Sequence, residues 1–141
     1  MNAAWATAVG AIFVWLGMVM AISFMEAPLK FRAPGVTLPI GLGIGRLVFH
    51  ALNGAELVLA AIVLVSLSVD LPPGRIIAAI IVALVALAVQ LVAVRRWLNR
   101  RSDAVLAGHE GPRSRAHCVY IGLEVIKAVA LLVSGILLLA A

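Results

Sequence analysis

The run from Ala3 to Met25 is 23 residues long and contains no charged side chain. About 20 apolar residues in a helix span the hydrocarbon of a bilayer, so this stretch alone restricts the chain to a few architectures. A secretory signal peptide is the competing reading. Its apolar core is about 7–15 residues long and follows a basic segment, whereas Met1-Asn2-Ala3 has no positive side chain. The sequence therefore predicts a retained membrane helix. Further apolar runs give predicted spans at residues 3–25, 38–69, 76–98 and 116–141. Only helices and closed barrels satisfy their backbone groups in lipid. The expected fold is an all-α transmembrane four-helix bundle, with residues 1–141 forming a single integral membrane domain.

Composition supports lipid as the solvent. The chain is 65% hydrophobic and 12% charged, where soluble domains are about half apolar and a quarter charged. The bilayer is thus the expected partner. A net charge of +5 suggests nucleic acid in a soluble protein. Here the basic residues flank apolar runs, which reads as membrane orientation, and no nucleic-acid partner is expected. The one cysteine, Cys118, excludes an internal disulfide and any multi-cysteine metal site, and reads as a small packing residue.

Punctuation sets the boundaries. The first span should end at Met25-Glu26-Ala27-Pro28, because proline disfavours helical geometry in the residue before it. Thr37 can cap the second span with Pro39 in its first turn. Asp70-Leu71-Pro72-Pro73-Gly74 is a turn. The third helix should continue through Arg95-Arg96-Trp97 and stop near Gly108. Gly111-Pro112 marks the last loop, Ser114 a cap, and His109 and Glu110 solvated loop positions. Lys30, Arg32 and Arg46 lie around the first connection, and Arg95, Arg96, Arg100, Arg101, Arg113 and Arg115 around the third. The middle connection has only Arg75. The charge-bias rule then places the first and third connections in the cytoplasm and both termini outside the cytoplasm, in the cell inner (plasma) membrane.

Ionisable residues within spans face the bundle interior and find partners, because lipid solvates them poorly. Arg46, His50, Asn53 and Glu56 recur at helical spacing on span two, as do His117, Tyr120, Glu124 and Lys127 on span four. With Glu26 and Gln90, these ten residues are expected to form a polar cluster in the cytoplasmic half of the bundle. The other half is nearly all Ala, Val, Leu and Ile, with Ser66, Ser68 and Ser134 as its polar exceptions. Such asymmetry counts against a self-contained channel. Structural pairing is the plainer reading: Glu124 with Lys127, Glu56 with Lys127 or Arg46, Glu26 with Arg46, and Asn53 and Gln90 as interhelical glue.

Carboxylate and histidine side chains converging in a helical bundle can bind metal. His50, Glu56, His117 and Glu124 are the candidate ligands. The Glu-x-x-His spacing of such sites is missing, and Lys127 and Arg46 would repel a cation, so neither metal nor any other cofactor is favoured. The Gly41/Gly45 pair reads as a small-xxx-small face for close helix approach, as do Gly10 with Gly17 and Gly122 with Gly135.

Three segments carry a family likeness: Ser23-Phe24-Met25-Glu26-Ala27-Pro28-Leu29-Lys30-Phe31, Gly45-Arg46-Leu47-Val48-Phe49 with Asn53 and Glu56, and Arg115-Ala116-His117 with Tyr120 and Glu124. In these the chain resembles bacterial four-span membrane proteins of unknown function, distantly similar to the transmembrane protein 205-like group. The resemblance implies a compact helical bundle and a loose link to handling toxic compounds or metals. It carries no catalytic residues. The leading expectation is a non-enzymatic membrane protein whose polar, cytoplasm-facing cavity binds a small ligand or partner. The alternatives are a metal- or redox-dependent membrane enzyme, and an accessory subunit of a larger membrane complex; beside the bilayer, the partners to look for are further copies in a homo-oligomer or a larger membrane complex.

Overall fold

The computed structural model describes residues 1–106 and 115–141. The expected stop near Gly108, the loop positions His109, Glu110 and Gly111-Pro112, and the Ser114 cap lie outside the described residues. Helix α1 (Ala3–Val19) continues through a π-helical segment (Met20–Glu26), one α-turn (Ala27–Leu29) and a 3-10 turn (Lys30–Arg32). Helix α2 is Leu38–Val69. Helix α3 (Gly74–Val89) runs through a second π-helical segment (Gln90–Val94) into α4 (Arg95–Leu106), and α5 is Arg115–Ala140. The fold is an all-α four-helix bundle.

Four helices are long and apolar enough to cross a membrane: Ala3–Arg32, Leu38–Val69, Gly74–Trp97 and His117–Ala140. Their outer surface is what lipid requires, with Leu47 and Val69 more than 70% exposed. Fully buried polar side chains lie inside instead. That inversion of the soluble pattern needs a hydrocarbon solvent, because exposing so many large apolar side chains to water is unfavourable at about 25 cal/mol per Å².

Local chemistry explains the helix ends. Asn2 caps α1, its side chain accepting from the Trp5 N–H at 2.7 Å. Thr37 accepts from the Ile40 N–H at 3.4 Å, with Pro39 in the first turn of α2. Between them, Gly35 takes φ +82°, which suits the third position of a turn led by Pro34 and closed by Val36 N–H on the Ala33 carbonyl. At the opposite end, Asn2 Nδ2 and Trp5 Nε1 donate to the side chain and backbone of Asp70. This ties the start of α1 to the turn between α2 and α3.

The first helix does not stop before Pro28, as proline geometry alone predicts. It continues to Arg32. The ring of a proline clashes with the carbonyl four residues back in an ideal α-helix. Here the preceding turn is wide: the Ala27 N–H donates to Ile22, five residues back. The π-helical segment shifts the hydrogen-bond ladder just ahead of Pro28 and lets the helix carry on. Helix α1 packs on α2 and α5, and α3 packs on α5. Ile12, Trp15, Val63, Ile76, Ala83 and Leu131 form the apolar centre.

Candidate functional site

Lys127 on α5 is fully buried, and its Nζ touches three acceptors. Glu56 Oε2 and Glu124 Oε1 each lie at 2.5 Å, and Gln90 Oε1 at 2.8 Å. An ammonium has three N–H donors, so the three partners account for all of them. The acceptors are held in turn. Trp15 Nε1 donates to Glu56 Oε2 at 2.8 Å. Ser23 Oγ donates to Glu124 Oε2. Gln90 Nε2 donates to Glu124 Oε1 at 2.8 Å and to the Tyr120 carbonyl at 3.3 Å. Every membrane-crossing helix contributes at least one member.

Backbone geometry serves this network. Ser23 sits inside the first π-helical segment and Gln90 opens the second. The second is closed by the Arg95 N–H on the Gln90 carbonyl, again five residues back. π-Helical turns are rare, appear mostly inside α-helices and are frequent at functional sites. Both interruptions supply a side chain that meets Glu124. With all three ionised, the Glu56–Lys127–Glu124 trio carries one surplus negative charge, and Trp15, Ser23 and Gln90 are the dipoles that offset it.

On the arginine-rich side of this network lies a cavity of about 360 Å³. Its described lining includes Lys30, Arg46, Arg95 and His117, with Phe24, Phe31, Phe49 and Tyr120, and it includes no carboxylate. The Arg95 guanidinium lies 5.4 Å from the Phe49 ring centre and 5.2 Å from that of Tyr120. The two rings meet edge to face at 5.6 Å. Arg95 Nη2 donates to the Tyr120 hydroxyl at 3.2 Å, while its buried Nε has no hydrogen-bond partner among the described residues. Lys30 Nζ lies 5.7 Å from the Phe49 ring centre and 3.9 Å from Glu26. Arg46 pairs with Asp103 on α4 at 2.7 Å.

The ten residues expected to cluster thus divide into groups. Glu56, Gln90, Glu124 and Lys127 form the buried network, with Tyr120 joining through its carbonyl. Tyr120, Arg46 and His117 line the cavity. Asn53 is buried beside them in sequence, but its Oδ1 has no partner among the described residues. Glu26 pairs with Lys30, not Arg46. His50 is exposed and belongs to neither group. At 3.6 residues per turn it sits about 120° round α2 from Glu56, so spacing by fours and threes had drifted off the inner face. The alternative metal set of His50, Glu56, His117 and Glu124 is not assembled. Among the described residues no three His, Cys, Asp or Glu side chains converge as ligands. Lys127 stands between the two carboxylates.

Trp15 and Ser23 carry no charge that would single them out in the sequence. Trp15 did leave a trace, since tryptophan concentrates at membrane interfaces and this one falls in the middle of an apolar run. Arg95 and Lys30 read in the sequence as orientation signals. The glycine faces also work differently. A Cβ on Gly41 would overlap the Phe31 ring, and one on Gly45 would lie 2.9 Å from Lys30 Nζ. These glycines admit side chains from the first span. Gly135 does the same for Phe13 at 2.7 Å, while Gly10, Gly17 and Gly122 have nothing within 4 Å.

Fold and site together define an all-α protein with four membrane-crossing helices, a multi-pass membrane protein. No protein family, curated protein or solved structure matches the chain.

Proposed function

We propose that this is a non-enzymatic membrane protein whose cavity binds a small ligand at the arginine-rich end of the bundle. One observation carries the reading: three basic side chains from three elements border one aromatic-walled cavity, and no carboxylate is among its described lining. Lys30 and Arg46 already have carboxylate neighbours in Glu26 and Asp103, whereas Arg95 has none among the described residues, and an anionic occupant would supply it. The buried Lys127 network then acts as the support that fixes the four helices beneath the cavity. Lys and Arg distribution supports an inner-membrane location with this end in the cytoplasm and both termini outside it. Kinship with the transmembrane protein 205-like group is part of the same proposal.

The test is thermal melting of purified protein in neutral detergent against a panel of small organic anions, cations and neutral compounds. Saturable stabilisation by anions, lost in Arg95→Gln and kept in the outward-facing Val65→Ala, is the expected outcome. No stabilisation by any compound overturns the reading.

A further inference from the structure

We infer that the occupant is an anionic glycerophospholipid of the surrounding bilayer, with its phosphate in the basic cavity and an acyl chain in a neighbouring groove. The inference rests on the binding reading above and names the ligand.

A second depression, of about 410 Å³, lies between the first and fourth spans. Its described lining is Leu16, Met20, Phe24, Val125, Ala128, Val129 and Leu132, none of them polar. Phe24 lines both this groove and the cavity. The walls continue by single helical turns, from Phe24 to Met20 on the first span and from Ile121 to Val125 on the fourth. From Phe24 to Leu16 the groove extends about 12 Å away from the cations, at 1.5 Å per residue. A polar, cationic recess therefore opens onto an apolar track at right depth order for an amphiphile: head toward the arginine-rich end, tail toward the bilayer centre.

The donors favour phosphate. Lys30, Arg46 and Arg95 approach from the end of the first span, α2 and α4, so several phosphate oxygens can be met at once. Among the described residues, Arg95 Nε is a buried donor lacking an acceptor. The Lys30 pairing with Glu26, at 3.9 Å, is longer than a hydrogen bond and leaves the ammonium able to engage an anion. Basic pockets between membrane helices bind anionic head groups elsewhere by the same physics. Arg46 would exchange or share its Asp103 partner.

Native mass spectrometry of the full chain in neutral detergent, titrated with phosphatidylglycerol, phosphatidylcholine and glycerol phosphate, tests this. Phosphatidylglycerol should bind saturably and at least tenfold more tightly than phosphatidylcholine. Arg95→Gln should lower that affinity about tenfold. Val129→Trp, at a groove position 55% exposed and so compatible with folding, should lower it similarly, while Val133→Trp outside the groove should not. Equal binding of the two lipids, or uptake that never saturates, overturns the lipid assignment. Glycerol phosphate binding as tightly as the lipid overturns the acyl-chain role and leaves the binding reading standing. Binding of none of the three, with no anion stabilising the protein in the melting panel, overturns both.

Discussion

Lys127 Nζ and Glu56 Oε2 lie 2.5 Å apart, with both side chains wholly excluded from the surface of the bundle. A pair of this kind is a weak source of net stability, yet breaking it from one side is costly because the remaining charge is stranded. Lys127→Met leaves Glu56 and Glu124 facing each other without a cation and should cost about 3–5 kcal/mol. Glu124→Leu orphans donors of Ser23, Gln90 and Lys127 at once. Glu56→Leu releases Trp15 and one donor of Lys127, while Glu124 still balances the lysine. Each glutamate variant should cost about 1–3 kcal/mol, with Glu124→Leu the worse. Ser66→Ala, outside the network, should melt like the wild type. Thermal melting in detergent reads all four, and a wild-type midpoint for Lys127→Met would show that the side chains are not coupled.

The Trp15 indole extends that network into the apolar half. Trp15→Phe removes the donor to Glu56 Oε2 and leaves the space of the second indole ring in a buried site. A hydrogen bond to a charged group is worth about 1.5–3 kcal/mol and the cavity adds to it, so the variant should lose at least about that much. Trp5→Phe removes a comparable bond to the Asp70 carbonyl at an exposed site, where water replaces it, and should lose under about 1 kcal/mol. Chemical unfolding of the two variants side by side measures the difference. Equal losses would mean that burial of the Trp15 contact contributes nothing.

These two residues also mark how far sequence reaches. The four spans are legible because lipid demands long uncharged runs, a signal that needs no tertiary information. Glu56, Gln90, Glu124 and Lys127 are legible as partners because a charge in hydrocarbon has few places to go. His50 misleads because its spacing matches Arg46 locally but drifts away from Glu56 over six residues. Ser23 is silent in sequence and Trp15 is marked only by its place mid-run, since neither is charged and their roles arise from what the other helices present. The π-helical turns are silent for the same reason. No local propensity marks Met20–Glu26 or Gln90–Val94 as wide turns, and what aims Ser23 and Gln90 at Glu124 is packing. The cationic lining of the cavity includes Lys30 and Arg95, whose charge reads in sequence as an orientation signal.

Glycine positions offer a steric test of that cavity wall. Gly41→Ala pushes a methyl group into the Phe31 ring, and overpacking of this kind costs about 1–3 kcal/mol. Gly10→Ala meets open space and should change stability by less than about 0.5 kcal/mol. Phe31→Leu should restore much of the loss in Gly41→Ala, because the shorter side chain vacates the clash. Melting midpoints of the two single variants and the double variant decide the matter. An additive double variant would show that Phe31 does not occupy the Gly41 notch.

Orientation is open to direct labelling. Leu71 is 72% exposed in the turn between α2 and α3, and Ala33 is exposed in the turn that follows the first span. Arginine and lysine crowd the second of these ends and avoid the first, so the two turns should lie on opposite faces of the membrane. In a Cys118→Ser background, an impermeant maleimide added to intact cells should react with Leu71→Cys. Ala33→Cys should react only after permeabilisation. The reverse pattern would turn the basic cavity outward, remove the argument for a cytoplasmic ligand, and require that something other than positive charge sets the direction of insertion.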